Sequence, residues 1–354
     1  MRRLQVVAGP VRGRDEVRGR MKTNTEFVEH GCWQSWHSAD VPLRLGVSSC
    51  LIGEKVRFDG GHARDRFVTD TLGQWFELAP VCPEMEIGMG APRPTVRLVE
   101  EGRGTRLVAP SNGKDFTELM LAYATDKVAE LFRLGLDGYI VKKASPSCGM
   151  ERIRVYRNGV PVARNESGLF ARTLMEHWPA LPVEEDGRLN DPILRENFIE
   201  RAFSRNRWRV LVRRGLSRRR LIQFHTAHKL LLRAHNEAAY RRLGKLVGSA
   251  GTIPDRELFD AYESEFHESL RTVATRKKHT NVLLHALGYL KNALDAIEKR
   301  EVLATIEDFR QGLVPLVVPV ALLRYGIRRH SVEYLAGQLY FDPHPKELML
   351  RNHP

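Results

Sequence analysis

Gly138-Tyr139-Ile140-Val141-Lys142-Lys143-Ala144-Ser145-Pro146-Ser147-Cys148-Gly149 is a short apolar run closed by a turn rich in Ser, Pro and Gly, with a cysteine in the turn. An apolar run of this length bounded by turn formers reads as a buried strand. The arrangement recurs twice. Cys50 follows Leu45-Gly46-Val47, and Cys82 follows Leu78-Ala79-Pro80-Val81. In an open α/β sheet, ligands sit beyond the carboxyl ends of the strands. Three cysteines, each just past a predicted strand, are therefore expected on one rim of a sheet.

Working outward, Leu43 to Val47 reads as a first strand, Thr69 to Glu77 as a helix and Leu78 to Val81 as a second strand. Phe116 to Leu134 carries apolar residues three and four apart (Leu119, Met120, Tyr123, Val128, Leu131 and Phe132 among them), the pattern of an amphipathic helix, and Gly135 closes it. Val162 to Arg164 reads as another strand, and Gly168-Leu169-Phe170 opens a helix through Met175. Asp191 can cap a helix with Pro192 at its first position. Alternating strand and helix predicts an α/β domain with a mostly parallel sheet over residues 41–206. Strand signals then stop. Gln223 to Tyr240, Pro254 to Val273, Lys278 to Ile297 and Val302 to Gln311 read as helices, and Leu313 to Tyr325 begins another, interrupted by Pro315 and Pro319. This predicts an all-α domain over 207–354. Residues 1–40 have little periodicity and read as a flexible extension, with Met1 or Met21 as the start.

The 354 residues suffice for two cores. An apolar content of 42% with 28% charged residues is ordinary for a soluble globular protein. The chain lacks the run of about eighteen apolar residues that a membrane span needs. The net charge of +13 is unevenly shared: residues 207–354 hold 26 Lys and Arg against 15 Asp and Glu, and residues 1–206 hold 30 against 28. A basic half joined to a near-neutral half suggests a polyanion held by one domain and worked on by the other; a merely soluble basic surface is the alternative. Four cysteines in so long a chain do not make a disulfide framework. Reduced thiols in a cytoplasmic protein fit better. Cys32 has no strand before it and is left out of the site.

Three cysteines are one short of the four that usually hold an iron–sulfur cubane. With three protein ligands, one iron stays open, much as catalytic zinc keeps an open position. Zinc itself competes, although its structural sites usually use close cysteine pairs and this chain has no C-x-x-C. Three buried cysteines without chemical importance are the remaining reading. Glu84 stands two residues from Cys82 and Ser145 three residues before Cys148, so each can bring a polar group to the rim, with Glu86 a competitor for the carboxylate role. Asp59-Gly60-Gly61-His62 reads as a turn in which backbone can approach a ligand. Lys142 and Lys143 border the cysteine turn, where they can meet a phosphate or simply be solvated.

Four segments, Ser48-Ser49-Cys50-Leu51-Ile52-Gly53, Arg57-Phe58-Asp59-Gly60-Gly61-His62, Val81-Cys82-Pro83-Glu84 and Ser145-Pro146-Ser147-Cys148-Gly149, together resemble the thiouracil desulfidase family. Leu221-Ile222-Gln223-Phe224-His225-Thr226-Ala227-His228-Lys229 and Lys277-Lys278-His279-Thr280-Asn281 resemble the helical domain fused to it in desulfidases acting on 4-thiouridine of tRNA. The resemblance implies a [4Fe-4S] cluster on Cys50, Cys82 and Cys148, with Glu84 and Ser145 catalytic, and Asp59, His62 and Lys143 near the substrate. The implied reaction turns 4-thiouridine into uridine and sulfide. Desulfuration of free thiouracil or a thiolated nucleotide is the nearest alternative. An iron–sulfur RNA-binding redox sensor is an alternative of another class.

In the basic half, His225, His228 and His235 fall within one arc of a helix. They are expected to face RNA or a neighbouring helix. Arg213, Arg214, Arg218, Arg219 and Arg220 precede that helix. Lys277, Lys278 and His279 open another, where backbone donors favour phosphate. With Lys229 these form the expected tRNA contacts. A thiolated base would have to leave its stack to reach the rim.

Overall fold

The computed structural model describes residues 33–102 and 104–353. Cys32 and most of the expected extension lie outside them. Among the described residues nine strands come in the order β1 (Arg44–Ser48), β2 (Glu77–Val81), β3 (Arg97–Glu101), β4 (Gly104–Ala109), β5 (Lys114–Asp115), β6 (Gly138–Val141), β7 (Ile153–Arg157), β8 (Val160–Glu166) and β9 (Val183–Glu185). Among them lie helices α1 (Pro83–Glu86), α2 (Thr117–Leu134) and α3 (Leu169–His177). After β9 the described chain is helical: α4 (Pro192–Arg213), α5 (Arg218–His235), α6 (Glu237–Gly248), α7 (Asp255–Arg271), α8 (Arg276–Leu290), α9 (Ala296–Gln311), α10 (Val317–Arg329) and α11 (Glu333–Ala336). The architecture is α/β followed by mostly helix, as the sequence predicts.

Four strands in the order β2-β1-β6-β9 form a wholly parallel sheet. Ser48 pairs with Val81, Val47 with Ile140 and Val141 with Glu185, so the four carboxyl ends lie level. The fit between β1 and β6 depends on Gly46, where a Cβ would come within 2.2 Å of the buried Tyr139 ring. A second sheet, β5-β4-β3-β7-β8, is antiparallel except for β3 against β7. Apart from Val162 to Arg164 it is not foreseen, because it buries one face only (Leu98, Leu107, Ile153, Val155) and its other positions mix charged residues with exposed valines such as Val160 and Val162. Three expected helices also differ. Residues 69–77 run through a π-helical turn at Phe67–Thr71 and a 3₁₀ turn at Leu72–Gln74 into β2. The expected helix at 278–297 ends at Leu290, and the next begins at Ala296, capped by Asp295. The expected helix at 223–240 breaks at Asn236, whose side chain accepts from the Ala239 N–H and caps α6.

The predicted boundary at 206 falls inside α4, one continuous 22-residue helix. Asp191 caps it, accepting from the N–H groups of Ile193 and Leu194, and Pro192 opens it. Its residues Phe198, Ile199, Ala202 and Phe203 pack against the parallel sheet, while Trp208 and Leu211 join the core of the helical half. Residues 33–40 also belong to the fold. Trp33 packs on Trp75 and Phe203, and Trp36 on Phe224 and His228.

The direction of α4 follows from its contacts. Its Asn206 side chain donates to the Val41 and Pro42 carbonyls before β1, and Arg209 pairs with buried Asp137 before β6. Its first turns lie near the opposite end of the strands, where Arg195 covers the Phe67 ring. α4 therefore runs antiparallel to the sheet. The chain's last residues return to the middle of it, where Arg351 bridges Glu196 (3.1 Å) and Glu200 (3.0 Å), and Glu200 also meets His235 of α5 (2.7 Å).

Burial alone would raise the Glu200 carboxyl, but His235 and Arg351 hold it far below the ordinary carboxylate range. Removing one partner from a buried pair costs about 3–5 kcal/mol. Arg351→Met should lower the denaturation midpoint correspondingly. A carboxyl held low contributes its stability above its unfolded pKa, so the deficit should be full at pH 7 and shrink below about pH 4.3. Denaturant titrations at both pH values check this.

Candidate functional site

Level carboxyl ends bring three loops together. Cys50 lies in the tight turn Ser49–Ile52 after β1, Cys82 is the residue between β2 and α1, and Cys148 sits in the turn after β6. All three thiols are free. They line one cavity of about 370 Å³, together with Glu84, Arg93, Ser145, Lys143, Arg57 and Phe58. The strand-end rule thus assembles Cys50, Cys82, Cys148, Glu84, Ser145 and Lys143 as the sequence predicts.

The Cys148 turn is locked by the start of α3. Phe170 N–H donates to the Ser147 carbonyl (3.0 Å) and Leu169 N–H to the Pro146 carbonyl (3.1 Å). A Cβ on Gly168 would lie 2.5 Å from the Ser147 backbone, so the two segments touch because that residue is glycine. Inside the turn, the Ser145 Oγ accepts from the N–H groups of Cys148 (3.0 Å) and Ser147 (3.3 Å), bonds that do not use its own proton. From β9, the Glu185 carboxylate accepts from Met150 N–H (2.9 Å), and Asp186 takes Lys143 N–H (2.7 Å) and the Lys142 ammonium (2.5 Å).

Glu84 is the organised carboxylate. Its Oε1 accepts from the Ser147 hydroxyl at 2.8 Å, and its Oε2 from Arg93 Nε at 3.1 Å and more closely from Nη2. Arg93 is itself fixed by the Gly90 (2.7 Å) and Val56 (2.8 Å) carbonyls. Arg93 and Ser147 were missed in the sequence, where Ser147 read as a turn residue and Arg93 lies nine positions from its partner. Glu86, the competitor, points elsewhere: it accepts from Cys82 N–H (3.2 Å) and pairs with Lys127 (2.9 Å).

Burial pushes the Cys50 thiol up to about 11, with Lys142 opposing, and raises Cys82. It raises Cys148 further, helped by the charges of Glu84, Cys82 and Cys50. The sulfurs are thus near enough to feel one another, and neutral while nothing cationic is bound. A bound metal reverses that preference, because a coordinating thiol is deprotonated. Among the described residues, no three His, Cys, Asp or Glu side chains gather around a single ion position. The thiols surround the cavity instead.

Asp59 and His62, expected at the substrate, are exposed and do not line the cavity. Asp59 accepts from Gly61 N–H (3.0 Å) and from Arg57 (3.4 Å), and His62 Nδ1 accepts from Arg64 N–H (3.2 Å). They shape the turn that carries Arg57 and Phe58.

The expected RNA contacts divide. His225, His228 and His279 are corrections, because all three are buried. His228 Nδ1–H donates to the Phe224 carbonyl (2.7 Å), while its Nε2 accepts from Arg207 (3.1 Å). His225 meets the Tyr262 hydroxyl (3.2 Å) and His279 the Tyr340 hydroxyl (3.0 Å). Burial lowers the pKa of each ring, those of His225 and His279 to about 4, so they pack as neutral polar core residues. Lys278 is also spoken for, its ammonium donating to the His235 carbonyl (2.7 Å) at the end of α5. Lys229 is half-buried. Arg214 and Arg220 donate to backbone carbonyls, and Arg218 pairs with Asp255 at 2.7 Å. Arg213, Arg219 and Lys277 are exposed and form no ion pair among the described residues. They do not share a patch. Arg213 and Arg219 lie where α4 meets α5, at the pole remote from the cysteine rim, and Lys277 lies near the other end of α5, roughly 27 Å away for 18 residues at 1.5 Å each.

Residues 45–186 match the family model described as 2-thiouracil desulfurase, and residues 229–345 match one described as a protein of unknown function, DUF1722. The chain is 30% identical over 156 residues to the uncharacterized protein YbgA of Escherichia coli K12, covering 43% of this chain and 90% of that one. It is 30% identical over 150 residues to the uncharacterized protein YbbK of Bacillus subtilis 168, covering 41% and 97%. A solved structure of the [4Fe-4S]-dependent thiouracil desulfidase TudS shares 26% identity over 42% of this chain and 94% of its own, with a TM-score of 0.35.

The packing of Gly168 generates a test. Gly168→Ala forces a Cβ into the cysteine turn, and overpacking of this kind costs about 1–3 kcal/mol. Thermal denaturation should show that loss, and Cys148 should react faster with an uncharged thiol reagent.

Proposed function

Since the chain belongs to the 2-thiouracil desulfurase family, we propose that it is a [4Fe-4S]-dependent desulfidase converting 4-thiouridine in tRNA to uridine and sulfide. One observation carries the reading: three free cysteines from the ends of three adjacent parallel strands line a single cavity with an organised carboxylate. Cys50, Cys82 and Cys148 would hold the cluster, one thiolate to each of three irons. When bound, the cluster would supply an open iron, a soft Lewis acid suited to a thiocarbonyl sulfur.

The chain's own groups do the rest. Arg93 and Ser147 hold Glu84 by both oxygens, which fixes the carboxylate at the cavity wall and keeps it from turning towards solvent. Its remaining lone pairs accept the proton of a water attacking the ring carbon. Ser145, whose oxygen is anchored by two N–H groups, directs its O–H to the reacting group. Atoms balance as a hydrolysis: C=S and H₂O give C=O and H₂S, without net oxidation.

Two features support a polynucleotide over a free base. The first is the excess positive charge of residues 207–354. The second is the exposed cations at both poles of α5, a span close to that of eight base pairs at 3.4 Å per step. A cytoplasmic setting accords with reduced thiols.

Three measurements test the reading. Anaerobically purified protein should be brown and carry about four irons per chain. Glu84→Gln should keep iron and tRNA binding yet lose at least about 10²-fold in sulfide release, the lower range for a general base. Arg213→Glu, Arg219→Glu and Lys277→Glu should each weaken tRNA binding without altering the iron content, and lower the salt slope by about one. A colourless zinc protein, or full activity in Glu84→Gln, would refute the proposal.

A further inference from the structure

The two lysines that follow β6 are adjacent but differently placed. Lys143 is exposed, with its stem over Gly187. Lys142 is half-buried, lines the cysteine cavity and carries its ammonium 2.5 Å from the Asp186 carboxylate. Asp186 is itself held just after β9: its N–H donates to the Val141 carbonyl (3.1 Å), and its second oxygen accepts from Lys143 N–H (2.7 Å). The Lys142 backbone is fixed from the other side, its N–H donating to the buried Ser48 hydroxyl at the end of β1 (3.0 Å). Lys142 is thus secured where β1, β6 and β9 end, on the wall that carries the thiols.

Asp186 does not line the cavity, so the pair presents its positive member to it. One carboxylate oxygen takes one of the three ammonium donors and leaves two. The other cations of the wall are placed less well. Arg93 gives its donors to Glu84 and to the Val56 and Gly90 carbonyls. Arg57 shares Asp59 in an exposed turn. Burial raises the Cys50 thiol, and Lys142 opposes that rise more than Arg57 does.

Desulfuration creates negative charge in this space. Water adds through its oxygen to the ring carbon, one proton passes to Glu84, and the C–S bond breaks with its electron pair on sulfur. The products are the carbonyl, hydrosulfide and the proton on Glu84. A fixed cation in a confined cavity stabilises such developing charge more than the same cation in water, and it needs no reorganisation.

We infer that Lys142 is a further catalytic residue, whose ammonium, held by Asp186, meets the sulfur as it leaves the ring carbon and retains the hydrosulfide until it escapes. This rests on the desulfidase reading and adds the group that handles the departing product.

The test measures binding apart from turnover, on anaerobically purified, iron-loaded protein. Sodium sulfide, present as hydrosulfide at mildly alkaline pH, is compared with thiourea, a neutral sulfur ligand, and both titrations are followed in the visible spectrum. Lys142→Met should weaken hydrosulfide roughly tenfold, the order expected of a charge-assisted contact, and leave thiourea within about twofold. Lys142→Arg should keep most of the hydrosulfide affinity, and both variants should keep their iron. In turnover of 4-thiouridine, Lys142→Met should lower kcat with KM unchanged, because the contact forms only as sulfur departs. Hydrosulfide binding untouched by Lys142→Met, an equal loss for both ligands, or no hydrosulfide binding by the unaltered protein overturns the assignment. Should Lys142→Met shed its iron, Lys142→Arg binding hydrosulfide as poorly as it binds thiourea does the same. Failure to release sulfide from 4-thiouridine, with hydrosulfide binding still dependent on Lys142, would instead sink the desulfidase reading and leave the anion contact standing.

Discussion

In-register parallel pairing of β2, β1 and β6 is the constraint on which the site depends. Parallel strands end on the same side, so residues far apart in sequence (50, 82 and 148) are delivered to one rim. The register leaves little latitude. A slip by one residue would turn every side chain of a strand to the other face and displace the loop that follows it. Gly46 under the Tyr139 ring helps to fix that register, because no larger residue fits there. The cavity is thus a property of the sheet, and its loops are secured by contacts that do not involve the thiols. The α3 amides hold one side of the Cys148 turn and the β9 carboxylates the other.

The second structural demand is charge burial. Glu84 with Arg93, Glu196 and Glu200 with Arg351, and Asp137 with Arg209 are pairs in which at least one partner is nearly inaccessible. Such pairs are weak sources of net stability, but leaving one member unpartnered is costly. They therefore act as registration devices. Asp137 ties α4 to the starts of β1 and β6, and Arg351 ties the chain's last residues to the middle of α4. The one at the cavity differs in consequence. There the paired carboxylate also lines an open space, so the interaction that fixes its position leaves it accessible to a small reactant.

Much of this was legible in the sequence, and the reasons divide cleanly. Three strands of the parallel sheet and their cysteines were legible because buried strands are written as local apolar runs, and the strand-end rule converts them into a shared location; β9, Val-Glu-Glu, carries no such run. Arg93 and Ser147 were not legible, because their meeting with Glu84 is set by how loops return, which no local period encodes. The second sheet escaped because its strands bury at most one face and interleave charged residues with the few buried apolar ones. His225, His228 and His279 misled for the opposite reason. The helical spacing of His225 and His228 is real, and so is the place of His279 at a helix start, but a neutral imidazole satisfied by a carbonyl, a hydroxyl or a guanidinium is as much at home in a core as a polar stripe is on a surface.

The course of α4 bears on how the two halves work together. The helix leaves the cysteine rim with β9 and ends at the opposite pole, so the arginines that follow it stand roughly 33 Å from where it began, at 1.5 Å for each of 22 residues. A small ligand in the cavity cannot feel Arg213 or Arg219 across that distance, since exposed charges are screened within about 8 Å at physiological salt. Those side chains can act on the site only through a ligand long enough to touch both poles. A single pyrimidine is too short, and a structured RNA is not.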